Sequence, residues 1–104
     1  MCIRDRSYIS IKSKIGYGNS FHHNTIINSD TSLGNFNIIN TGSILEHGVK
    51  IGNNCHVSTN VVINGDVQIG NNTFIGSGSV IKQGIKISND KLIPMGTLVF
   101  KNIL

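Results

Sequence analysis

The stretch IGNNCHVSTNVVINGDVQIGNN, Ile51 to Asn72, holds one full period of this chain. It opens on Ile-Gly-Asn-Asn and returns to Ile-Gly-Asn-Asn eighteen residues later. A shorter clock runs inside it, because Ile51, Val57, Ile63 and Ile69 lie six residues apart. Extended outward, the step of six lands on fifteen positions from Ile15 to Val99, Phe21, Ile39, Leu45 and Ile81 among them. All fifteen are apolar, whereas random placement at 38% hydrophobic content would give about six. Four residues behind each comes a second column, largely small or β-branched: Thr25, Thr31, Ser43, Val49, Cys55, Val61, Val67, Thr73, Ser79 and Thr97.

The eighteen-residue period recurs as Ile15-Gly16, Leu33-Gly34, Ile51-Gly52 and Ile69-Gly70, with Ile87-Ser88 as a worn fifth copy. Six nested in eighteen means three short strands per coil, stacked as a triangular prism. Strand rows sit about 4.8 Å apart, so roughly five coils rise on the order of 24 Å. The spacings of three and four that an amphipathic helix needs are absent. Composition agrees: eighteen Ile favour strands, while fourteen Asn and twelve Gly tolerate the left-handed backbone of tight turns.

Other classes are excluded more briefly. No run of eighteen apolar residues exists to span a membrane as a helix. The net charge of +4 includes seven Lys that form no run and have no interleaved aromatics, which argues against nucleic acid as a partner and leaves room for an anionic ligand. The first six residues, MCIRDR, resemble the translation of a sequencing adapter and are set apart from the domain at 7–104. Without Arg4, Asp5 and Arg6 the charge falls by one to +3, and Cys55 remains as a lone thiol suited to a reducing cytoplasm. GSGS at Gly76–Ser79 lacks the lysine and following helix of a phosphate loop. Asn71-Asn72-Thr73 matches a glycosylation acceptor, but nothing marks the chain as secreted.

The six-residue signature resembles the hexapeptide-repeat acyltransferases over essentially residues 8–104. The resemblance implies an all-β, single-stranded, left-handed parallel β-helix of about five coils of 18 residues. The hand comes from the resemblance alone. Within the repeat, Asn40, His47, His56 and Gly65 follow one another at intervals of seven, nine and nine. This pattern is similar to that of the sialic acid O-acetyltransferase (NeuD-type) group, which also holds bacterial amino-sugar N-acetyltransferases.

The resemblance implies His47 as general base, His56 and the Gly65 backbone at the thioester end of acetyl-CoA, and Asn40 at the acceptor. It also implies a homotrimer with acetyl-CoA in the groove between subunits, no metal, and an N-terminal Rossmann-like sugar domain that this chain lacks. The acceptor would be a sugar or nucleotide sugar. In that group an acid usually follows the base, whereas here Gly48 does, so a partner from Asp30 or Asp66 is the alternative to a weaker base.

Spacing alone places Gly65 one coil above His47, leaving room beside the imidazole. Nine residues is half a coil, so His47 and His56 fall on opposite sides of the prism and share a site only between two copies. Cys55 falls in the small column and reads as core. His22 lies one coil below Asn40; it and His23 read as polar surface residues, with contact to the acceptor as the alternative. Lys82 and Lys86 are open to the phosphates of CoA or to solvent alone.

The rival readings are a γ-carbonic-anhydrase-like metal protein and a non-catalytic scaffold. The first carries two His ligands five residues apart, a spacing no His pair here has; the second needs a threonine ladder, and Thr25, Thr31, Thr41, Thr59, Thr73 and Thr97 form none.

Overall fold

A computed structural model describes residues 2–104, and every regular element among them is a β-strand. Seventeen two-residue strands recur every six residues, from β1 (Cys2–Ile3), β2 (Tyr8–Ile9) and β3 (Lys14–Ile15) to β17 (Leu98–Val99). Each pairs in parallel with the strand eighteen residues on, as in His56↔Phe74 and Val62↔Val80. Three parallel sheets result. The first holds β1 and every third strand to β16 (Leu92–Ile93), the second runs from β2 to β17, and the third from β3 to β15 (Lys86–Ile87). The solenoid measures 31 × 21 × 20 Å.

The six-residue column is the core. The second residue of each strand points inward, and Phe21, Ile27, Ile39, Leu45, Val57, Ile63 and Ile81 are completely buried. Each such side chain contributes about 1.5–3 kcal/mol on burial, and a coil stacks one from each sheet. The chain turns each corner through a left-handed residue, again every six: Asn24, Asp30, Gly42, Gly48, Asn54, Asn60, Asp66 and Asn72 all have φ between 56° and 74°. Asn, Asp and Gly hold most of these places because they meet this backbone at the lowest cost; Phe36, at φ 59°, is an exception in the series.

The small column is also internal, but two of its members were not legible as core. Asn19 and Asn37 are as buried as the valines. Asn37 Nδ2 donates to Gly52 O at 2.9 Å, and its Oδ1 accepts the Cys55 N–H at 2.8 Å. Asn19 repeats both bonds one coil below, to Gly34 O and from Asn37 N. Cys55 continues the column, its Sγ donating to Gly70 O at 2.9 Å. Burial, outweighing hydrogen bonds from the Thr73 and Asn72 backbone, pushes this thiol up from its ordinary pKa, as expected of a core residue.

β1 pairs with Ser20–Phe21, and the Arg4 N–H donates to Phe21 O at 2.9 Å. The register therefore reaches further back than residue 8, because Ile3 and Ile9 fall on the same six-residue grid.

The three outer faces differ. Lys14, Ser32, Lys50, Gln68 and Lys86 form one row on the third sheet. The corresponding row on the second is Tyr8, Ile26, Ile44, Val62, Val80 and Leu98, and on the first Ser20, Ile38, His56, Phe74 and Leu92. One face is cationic and two are largely apolar.

Candidate functional site

His47 stands at the corner between the second and third sheets, after β8 (Ile44–Leu45) and before β9 (Lys50–Ile51). Its side chain is exposed and rises toward the next coil. There it meets Gly65: a Cβ at that position would lie 3.2 Å from Cε1 and 3.3 Å from Nε2 of the imidazole. Gly65 is thus needed for space, and its bare Cα forms a flat wall beside the ring. Backbone bonds fix the stacking, with Asp66 N–H donating to His47 O at 3.1 Å and Gly84 N–H to Gly65 O at 2.9 Å.

His56 lies on β10 (His56–Val57), in the first sheet. Its ring packs edge-on against Phe74, with centroids 5.2 Å apart at 81°. Nε2 is sealed from solvent and has no hydrogen-bond partner among the described residues. Burial, and then the nearby His22, lower the pKa of His56, so the imidazole is held neutral. His22, which spacing alone left as a polar surface residue, therefore borders the same patch.

Asn40 follows β7 (Ile38–Ile39) on that patch, its N–H bonded to Val57 O at 2.8 Å. Its Oδ1 accepts the Thr41 N–H at 2.7 Å, and the residue is half-buried. The geometry therefore makes two groups: His47 with Gly65 at one corner, and His56, His22 and Asn40 on the first sheet. Within one chain they are on opposite sides of the prism, as the half-coil spacing required.

A groove of about 440 Å³ runs instead along the third sheet, past Lys50, Gln68, Lys86 and Leu104. It contains neither histidine. A site shared between copies is not concave in one copy, so the groove does not displace His47 as the candidate. No helix among the described residues is long and apolar enough to cross a membrane.

The repeat itself decides the family. The model of the bacterial transferase hexapeptide (six repeats) matches residues 30–65 and 48–83, and that of the hexapeptide repeat of succinyl-transferase matches 66–101. The chain belongs to the bacterial transferase hexapeptide family. No curated protein matches it by sequence.

Among solved structures, PerB from Caulobacter crescentus, in complex with CoA and GDP-perosamine, superposes with a TM-score of 0.94 at 26% identity, over 98% of this chain and 51% of that one. The acetyltransferase domain of PglB from Neisseria gonorrhoeae, in complex with acetyl coenzyme A, gives 0.92 at 20% identity over 95% and 48%, and shares the fold. The chain spans about half the length of the chains in these two structures.

Proposed function

We propose that this solenoid is the acetyl-transferring part of an acetyl-CoA-dependent acetyltransferase, acting on an amine or hydroxyl of a sugar or nucleotide sugar. One observation carries the reading: His47, alone among the histidines, stands exposed at a corner against a glycine that keeps the space beside its ring open. The likeness to PerB, bound to CoA and a nucleotide sugar, supports the donor and the acceptor class.

In this reading His47 takes the proton as the acceptor nitrogen or oxygen attacks the thioester carbonyl. The carbon–sulfur bond breaks, CoA leaves as thiolate, and the imidazolium returns its proton to that sulfur. The donor for the oxyanion is a backbone N–H or His56 of a second copy, whose neutral ring is suited to hydrogen bonding rather than to charge. Asn40 turns its amide toward the acceptor. No acyl-enzyme forms, and Cys55, buried and hydrogen-bonded to the backbone, stays out of the reaction.

The two apolar faces support a homotrimer in which second and first sheets of neighbouring copies meet, bringing His47 of one beside His56 of the next. Closed cyclic assembly satisfies both faces at once. The third sheet, with its lysines, stays in water. Cys55, a free thiol, fits a cytoplasmic location.

The test is acetyl-CoA turnover with amino-sugar nucleotides, beginning with GDP-perosamine and read as CoA release. His47→Ala should lower kcat/KM by about 10²–10⁴-fold and leave the melting temperature unchanged, because the side chain is exposed. Near wild-type turnover in that variant would sink the base assignment, and a well-behaved monomer in sedimentation would undo the shared site.

A further inference from the structure

Three carboxylates approach the corner that carries His47, and the stacking sorts them. Glu46 precedes the base, but its Oε1 accepts Nδ2 of Asn28 at 2.8 Å, one coil below. Asp30, Gly48 and Asp66 form a single column with φ of 61°, 74° and 60°. Asp30 borders a recess with Lys12 and Lys14 at the lower coil, on the far side of Gly48 from Gly65.

Asp66 differs. Its Oδ1 lies over Gly48, in the place a side chain at that position would take. In the adjacent column the His47 imidazole crosses the same inter-coil gap in the other direction, to lie against Gly65. The two side chains thus point into one inter-coil gap from adjacent columns, one from above and one from below. Each is opposed by a glycine that makes room for it, Gly65 for His47 and Gly48 for Asp66. Both are exposed, so the carboxylate is free to turn onto the ring.

We propose that Asp66 is the positioning carboxylate of His47, supplied by the next coil instead of the next residue. It accepts the N–H of one imidazole nitrogen, which fixes the tautomer and leaves the other nitrogen to take the acceptor's proton. It stabilises the imidazolium until the proton passes to the CoA thiolate. The inference rests on His47 being the base. It also accounts for Gly48: an acid there would occupy the space through which Asp66 descends.

The decisive variant is Asp66→Asn in the whole chain, assayed with acetyl-CoA and GDP-perosamine. Asn already holds the equivalent turn at Asn54, Asn60 and Asn72, with φ of 58°, 56° and 57°, so the change removes charge and leaves the fold. The expected result is a fall in kcat of about tenfold with KM for acetyl-CoA within about twofold, the signature of an interaction made in the transition state. Asp66→Glu should retain more activity than Asp66→Asn. Adding Gly48→Asp to Asp66→Gly, which clears the place over Gly48, should restore part of the activity that Asp66→Gly loses, which a purely structural role would not allow.

A wild-type kcat in Asp66→Asn, with His47→Ala inactive, would overturn the role of Asp66 and leave the acetyltransferase reading standing. An inactive wild-type chain would overturn both.

Discussion

The corner between the third and first sheets and the corner between the second and third are built on the same register and look nothing alike. At the former, every coil repeats its neighbour. The backbone N–H groups of Tyr17, Asn35, Asn53 and Asn71 each donate to the Oδ1 of the Asn one coil on, at 3.0, 2.7, 2.8 and 2.6 Å. Behind that ladder runs the buried one of Asn19, Asn37 and Cys55.

At the latter corner, successive coils read Asn28-Ser29-Asp30, Glu46-His47-Gly48, Asn64-Gly65-Asp66 and Lys82-Gln83-Gly84. Only the backbone repeats there. Uniform side chains convert stacking into hydrogen bonds, whereas varied ones leave groups free for a ligand. The contrast separates the corner that holds the prism together from the corner we assign to chemistry.

The largest stability effect should come from breaking the uniform corner. Asn37→Ala strips the buried Cys55 N–H of its partner and leaves Gly52 O with only the 3.1 Å bond from the Gly34 N–H. Stranding such a group costs about 1–3 kcal/mol, so the melting temperature should drop sharply while kcat, measured well below it, stays near wild type. A large loss of kcat at that temperature would erase the distinction between the corners.

The converse test is Gly65→Ala at the varied corner. The new methyl would press on the His47 ring at 3.2–3.3 Å. Because Gly65 needs no left-handed backbone, stability should hardly move. Displacing the ring by a few tenths of an ångström should cost about tenfold in kcat/KM, or about 1.4 kcal/mol. Unchanged kinetics would place the chemistry elsewhere.

The smallest effect concerns His56, which belongs to neither corner. Its pKa is lowered in the fold by burial and by His22, so protonation favours the unfolded chain. The stability it lends is complete above the ordinary value of 6.5 and declines as pH falls below it. His56→Gln should flatten the melting temperature between about pH 7 and pH 5. An equally steep pH dependence in the variant would show that other groups carry it.

The prism was legible because its signal is redundant: fifteen apolar positions on one six-residue grid leave no other period to choose. His47 under Gly65 was legible for the same reason, since eighteen residues is one coil and stacking follows from counting. Asn19 and Asn37 were not. An asparagine in a repeat reads as a turn residue, and their burial depends on carbonyls fifteen residues ahead that only the closed coil brings within reach. The nearness of His22 to His56 was missed because their separation, 34 residues, is not a multiple of six; the two are neighbours across a face, not along a column.

Sequence by itself determined the coil, its register, the family and the residues that stack in each column, because a solenoid turns periodicity in one dimension directly into neighbours in three. Tertiary structure alone decided the direction in which each corner side chain leans. Glu46 leans down to Asn28, Asp66 leans down over Gly48, and His47 leans up to Gly65. That choice is made by backbone angle and by which neighbouring coil offers a partner or an empty place, and no count of residues along the chain contains it.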